Sequence, residues 1–150
     1  FGSLPAAHRA VTERLGVSKD YASFVLPLGA TINMDGCGGI YPAVASIFIA
    51  NLYGIPLDWM DYGLIMMTAT LASVGTAGVP GTALVMLTVT LNAVGLPLEG
   101  IAFIAAIDRI IDMARTMTNV TGDMMVARVV ARSENLLQDN NPYQEARESA

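Results

Sequence analysis

Charge is scarce in this 150-residue chain: 14% of its residues are Asp, Glu, Lys or Arg, against about 25% in a typical soluble domain. Basic residues are scarcer still. Eight Lys and Arg stand against 13 Asp and Glu, for a net charge of −5, and without a basic stripe this excludes a nucleic-acid binder. A single cysteine excludes a disulfide scaffold. A hydrophobic content of 53% and a mean hydropathy of +0.51 argue against a disordered chain. The composition is membrane-like, with a soluble core domain as the lesser alternative.

What charge there is lies unevenly. Between Tyr21 and Gly122 only eight residues are charged (Asp35, Asp58, Asp61, Glu99, Asp108, Arg109, Asp112 and Arg115), and the other 13 crowd into the two ends. The opening Phe1-Gly2-Ser3-Leu4-Pro5 carries neither an initiator Met nor a signal-peptide pattern. It reads as the middle of a longer protein, of which this would be the C-terminal piece. Ala6 to Leu15 is an amphipathic helical stretch, and Gly16–Asp20 a loop with Ser18 as a helix-capping candidate.

An apolar stretch from Tyr21 to Thr31 stops at Asn33-Met34-Asp35-Gly36-Cys37-Gly38-Gly39 and resumes from Ile40 to Tyr53. A spanning helix needs about 20 apolar residues. A break at mid-depth is tolerated only where the unwound backbone lines a cavity or is buried in protein. Two further stretches, Trp59–Ala72 and Thr82–Val94, are each too short to span. The Gly/Pro-rich tip between them, residues 73–81, makes the pair read as a re-entrant helical hairpin; Leu, Met and Ala in the arms disfavour a β-hairpin. Ile101 to about Arg132 reads as one long helix, with Arg128 and Arg132 at its cytoplasmic end by the positive-inside tendency. The fold expected is therefore an all-α membrane protein: a broken transmembrane helix, a re-entrant hairpin and a long polar-striped transmembrane helix.

That stripe carries the sharpest signal. Asp108, Asp112, Arg115, Asn119 and Asp123 recur at spacings of 4, 3, 4 and 4, which puts them within an arc of about 80° on a helix. Each unpaired charge at the bilayer centre costs about 2.5–3.5 kcal/mol even on the lenient scale, so the four charges must face a protein interior. The competing reading is the solvated face of a soluble amphipathic helix; the narrow stripe and the broken apolar span disfavour it. With Asp35 added, the interior holds four acids against Arg115, an imbalance that calls for cations. Carboxylate, amide and freed carbonyl oxygens are hard ligands for alkali or alkaline-earth ions. Arg115 offers a fixed fork to a carboxylate, and Asp112 one turn back can hold an ammonium. Together they suit a zwitterion with an extra acid group.

Three segments, Asn33 to Gly36, the tip Gly75 to Gly81, and Asp108 to Asp123, resemble the glutamate/aspartate:cation symporter family, which includes the excitatory amino-acid transporters. The resemblance covers roughly residues 3–132. It implies the C-terminal part of a transport domain over residues 1–135 (second arm of a first hairpin, broken helix, second hairpin, last helix), followed by a polar tail over 136–150 that is expected to be mobile. It also implies Na⁺ coupling, or H⁺ in its place, a homotrimer in the full-length protein, an amino-acid substrate, and a multi-pass location in the lipid bilayer of the cell membrane. No enzymatic activity is implied. By position, Asp112 would receive the substrate ammonium and Arg115 its side-chain carboxylate. Thr116 and Asn119 would bind the amino and main carboxylate groups, with Val79 contributing from the hairpin tip. Gly29, Asn33, Asn119 and Asp123 would form one sodium site; Thr31, Ser73, Val74 and Thr76 a second; Asn33 and Asp35 part of a third, with Met34 sulfur near an ion. Asp108 would support these from behind.

One position departs from the pattern: Cys37 stands where the acidic amino-acid carriers have Thr, whose hydroxyl helps bind the distal carboxylate. A thiol is a weaker donor, so neutral amino acids, cystine or dicarboxylates enter as alternative substrates, and a small buried residue is the other reading of Cys37. Retained Asp112 argues against the dicarboxylate branch and retained Arg115 against the small-neutral branch. An intramembrane aspartyl protease fits poorly, because Thr121-Gly122-Asp123 lacks that class's first Gly. An inactive truncated piece is the remaining alternative. His8 reads as a surface residue, and Trp59 and Tyr62 as interfacial anchors.

Overall fold

The structure, a computed structural model, describes residues 1–74, 76–79 and 81–138. Helices α1 (Leu4–Arg9), α2 (Lys19–Ile32), α3 (Tyr41–Leu52), α4 (Trp59–Val74), α5 (Thr82–Val94), α6 (Ile101–Ala105) and α7 (Asp108–Ser133) follow in order. Wide π-helical turns extend α1 through Ala10–Arg14 and lead into α3 over Asp35–Ile40. An isolated bridge between Val17 and Leu137 is the β contact seen among the described residues. The all-helical expectation holds. Among the described residues no helix is long and apolar enough to cross a membrane by itself. α2 has 14 residues and α3 has 12, while α7 has 26 but carries the charged stripe.

Two compact units form: Phe1–Ala30 with the chain from Val120 onward, and Thr31–Asn119. In the first unit, Ala7, Val11, Val17, Ala22, Leu26, Ala127 and Ala131 make one buried cluster. Four of these are alanines. Small side chains let helices approach closely, which matters where lipid removes the hydrophobic drive between them. In the second unit, Tyr41, Ala45 and Ile49 of α3 meet Ala83, Leu87 and Leu91 of α5, with Leu96 and Ile104. Both runs recur at i, i+4 and i+8, so each helix gives one face to this core. The hairpin arms pack on each other, and α4 also packs on the 35–40 turn.

The break in the first apolar span is narrower than the run of polar and glycine residues predicts. Asn33 and Met34 alone lie outside helix. From Asp35 the chain re-enters a π-helical turn whose Cys37 and Gly38 N–H groups both donate to the Met34 carbonyl, at 3.0 and 2.7 Å. Gly38 has no room for a side chain: a Cβ there would lie 2.3 Å from Ser73 Cα. The glycines therefore bring the turn against the hairpin instead of unwinding it.

The last helix is not continuous. Ala106 and Ile107 form a turn between α6 and α7, where Ile107 N–H reaches back three residues to the Ile104 carbonyl at 3.1 Å. The interruption puts Asp108 in the first turn of α7, where an acid is favoured by the exposed N–H groups. No proline or glycine marks the place. The polar tail expected from 136 also begins differently, since Leu136–Gln138 pair with the loop at Gly16–Ser18; residues 139–150 lie outside the described residues.

Candidate functional site

In the second unit, α7 brings its stripe against the broken-helix turn. Arg115 is 5% exposed. Its Nη2 donates to Asp112 Oδ1 at 2.9 Å and lies 2.9 Å from Asp108 Oδ1, so one nitrogen serves both acids. The guanidinium carbon sits 4.2 Å from the centre of the Tyr41 ring, a cation–π contact. Among the described residues, Arg115 Nε and Nη1 are buried without a hydrogen-bond partner. Buried donors without partners are costly, so this edge of Arg115 is prepared for an acceptor. Asp112 remains about half exposed, which leaves its carboxylate accessible beside the pair.

Asn119, also 5% exposed, faces the turn. Its Oδ1 accepts from Gly36 N–H at 2.7 Å, and its Nδ2 donates to Cys37 Sγ at 3.3 Å. This amide ties α7 to a backbone group that the π-helical turn leaves open. Asp35 is exposed; Ser73 Oγ donates to its Oδ1 at 2.8 Å and Asn33 Nδ2 to its Oδ2 at 3.3 Å. Met34 is buried. Thr76 is fully buried, with its hydroxyl donating to the Ala72 carbonyl at 2.6 Å. Val74, Val79, Thr31 and Thr116 are exposed. Thr82 Oγ1 steadies the tip by donating to the Ala77 and Val79 carbonyls; Gly75 and Pro80 of that tip lie outside the described residues.

Alongside runs a cavity of about 350 Å³, lined by Tyr41, Val44 and Phe48 of α3 and by Ile107, Ile111 and Arg115. Its walls are apolar except at Arg115, Tyr41 and Thr118. It is an open apolar groove with one cationic residue on its wall, since Val44, Phe48 and Ile107 are each half or more exposed.

In the first unit, Gly29 and Asp123 meet. A Cβ at Gly29 would lie 2.6 Å from Asp123 Oδ1, so α2 approaches the carboxylate through a residue without a side chain. Of the first expected sodium set, Gly29 and Asp123 belong to this unit, and Asn33 and Asn119 to the other.

A family model for sodium:dicarboxylate symporters matches residues 1–133. The chain belongs to the sodium:dicarboxylate symporter family. It is 48% identical over 129 residues to the human excitatory amino acid transporter 2, an overlap of 86% of this chain and 22% of that protein. It is 47% identical over 122 residues to the proton/glutamate-aspartate symporter of Escherichia coli strain K12, covering 81% of this chain and 28% of the other. It is 46% identical over 144 residues to the mouse excitatory amino acid transporter 4, covering 96% and 25%. The chain thus spans about a quarter of the length of these symporter relatives.

The sequence reading passed over Tyr41; Asp108, expected to support the site from behind, lies against Arg115. A signal for Tyr41 was available: it stands four residues after Cys37, the spacing that puts two side chains on one helical face. Nothing in the sequence marks Asn119 as the partner of both Gly36 and Cys37.

Proposed function

We propose that the chain is the C-terminal part of the transport core of a symporter that moves an acidic amino acid, aspartate or glutamate, with Na⁺ or H⁺ by alternating access. The observation that carries this is Arg115: a buried guanidinium that spends one nitrogen on two acids and whose Nε and Nη1 have no partner among the described residues. The substrate's distal carboxylate satisfies those donors, while half-exposed Asp112 takes the ammonium. Thr116, Asn119, Cys37 and Val79 complete the substrate set. Asn119 reaches substrate by rearranging its bonds to Gly36 and Cys37, or acts through the turn it holds.

Cations offset the remaining acid excess. Gly29 and Asp123 of the first unit, and Asn33 and Asn119 of the second, each supply ion ligands; Thr31, Ser73, Val74 and Thr76 form a further set; Asn33, Asp35 and Met34 contribute to another. The donors are oxygens with one thioether, and Ser73 close to the 35–40 turn supports the set it belongs to. The hairpin tip acts as the gate. The outward faces of α4 and α7 (Met66, Leu71, Ile110, Met113, Met117) are exposed and apolar, which fits contact with lipid. The full-length protein is a homotrimer in the cell membrane.

The test is uptake by the full-length protein in proteoliposomes, with aspartate, glutamate, serine, cystine and succinate, under Na⁺ or pH gradients. Aspartate or glutamate uptake that requires a cation gradient is expected. Gradient-independent flux, or uptake of serine or succinate in preference to the acidic amino acids, would overturn the assignment.

A further inference from the structure

α7 ends at Ser133, and Asn135 follows with a left-handed φ of 56°. Leu136 N–H then donates to the Ala131 carbonyl at 2.7 Å, so the helix closes in the manner of a Schellman turn with Asn in the left-handed position. The reversal lays residues 136–138 antiparallel to 16–18. Ser18 N–H donates to the Leu136 carbonyl at 3.0 Å and Gln138 N–H to the Gly16 carbonyl at 2.7 Å. Between these bonds Val17 is fully buried, and Leu137 packs on the alanine-rich cluster. One turn inside α7, Arg128 Nη1 donates to the carbonyl of Leu15, at the end of the first π-helical turn. α2 starts at Lys19, directly after Ser18. The beginning of α2 and the end of α7 are thus joined by two backbone bonds, while a side-chain bond from α7 holds the segment just before the loop.

The seam above this joint is smooth. Ala22, Ala127 and Ala131 allow close approach but make shallow ridges, which fix the axial position of two helices weakly. Yet axial position matters further up, where Asp123 meets Gly29 with no room to spare. One residue of slip is about 1.5 Å, enough to carry the carboxylate off the glycine. We infer that the 136–138 segment, with Arg128, is a clasp that positions Asp123 against Gly29 and thereby sets the protein's affinity for its driving cation. This rests on the reading of Gly29 and Asp123 as cation ligands.

The experiment uses the reconstituted full-length protein. Gln138→Pro deletes one N–H from an exposed residue and suits an extended Leu137 before it; Gln138→Ala keeps the N–H. With Gln138→Pro, the half-saturating concentration of the driving cation (Na⁺, or H⁺ where uptake follows pH) should rise about three- to tenfold, the scale of one hydrogen bond. The maximal uptake rate should stay unchanged, Gln138→Ala should match the wild type, and exchange of the Ser18 amide should quicken. Arg128→Met, which removes the bond to Leu15, should shift the same quantity in the same direction and serves should Gln138→Pro fail to fold. Faster Ser18 exchange with unaltered cation affinity would overturn the positioning role. Rapid exchange of the Ser18 and Gln138 amides in the wild type would overturn the clasp itself. A cation dependence untouched by Asp123→Asn would instead remove the ligand reading on which the proposal stands, a result readable without any clasp variant.

Discussion

The N-terminal half of α7 buries Arg115 and Asn119 and turns Ile110, Met113 and Met117 outward; the C-terminal half buries Ala127 and Ala131. The two halves of α7 are therefore held by opposite chemistry. In the first half, specific polar contacts hold the packing: an arginine shared by two acids and an amide shared by a backbone N–H and a thiol. In the second, closeness does it, through alanines at a seam shared with α1 and α2. A polar core tolerates little, because each missing partner strands a buried group. A small-residue core is indifferent to charge but sensitive to volume. The contrast shows how a single helix carries both a cluster of buried polar groups and a close-packed seam of small residues.

The largest effect expected from breaking this contrast is at Arg115. Removing one partner of a buried ion pair costs about 3–5 kcal/mol, and the change also removes two buried donors that have no partner among the described residues. Arg115→Ala in the full-length protein should abolish measurable aspartate binding by calorimetry while a neutral amino acid still binds. Unchanged aspartate affinity would remove Arg115 from the substrate site.

The small-residue half should respond to size instead. Ala127→Leu adds volume to a seam that has none to give, and overpacking of this kind costs about 1–3 kcal/mol. A lowered melting temperature is expected, whereas Met117→Leu, on the exposed face, should leave it within error. If both variants melt alike, the seam is not close-packed.

Asp123, in the first unit, lies against Gly29. Asp123→Asn keeps the shape and removes the charge, so the dependence of aspartate affinity on Na⁺ concentration should become shallower while the helix content by circular dichroism is retained. An unaltered Na⁺ dependence would exclude Asp123 as a cation ligand.

The smallest effect is expected at Cys37, whose sulfur accepts from Asn119. A hydroxyl is the better hydrogen-bonding group, and one added neutral bond is worth about 0.5–1.5 kcal/mol, so Cys37→Thr should tighten aspartate or glutamate binding roughly three- to tenfold. A thiol reagent should block the wild type, with substrate protecting it. Neither gain nor protection is expected if the sulfur serves only to hold Asn119.

Much of this was legible in the residue order. Scarce charge, the glycine-rich interruption after Asn33 and the two short apolar arms around a Gly/Pro tip led to helices at nearly their observed bounds, because helix periodicity and chain breakers act over a few residues. The 4-3-4-4 spacing placed Asp108, Asp112, Arg115 and Asn119 on one side of α7 for the same reason. The turn at Ala106–Ile107 was not legible, since neither residue is a helix breaker.

The sequence by itself determined which side chains could share a face and where the chain had to stop being an ordinary helix. Only the tertiary structure decided their partners: Tyr41 over Arg115, Gly36 on Asn119 across 83 residues, Leu15 on Arg128 across 113, and Leu136–Gln138 on the loop before α2. Spacing along one helix follows from local geometry, at 1.5 Å and about 100° per residue. Contacts between distant segments depend on how closely whole helices approach, and that was set by residues with little side chain to read: Gly29, Gly38, Ala127 and Ala131.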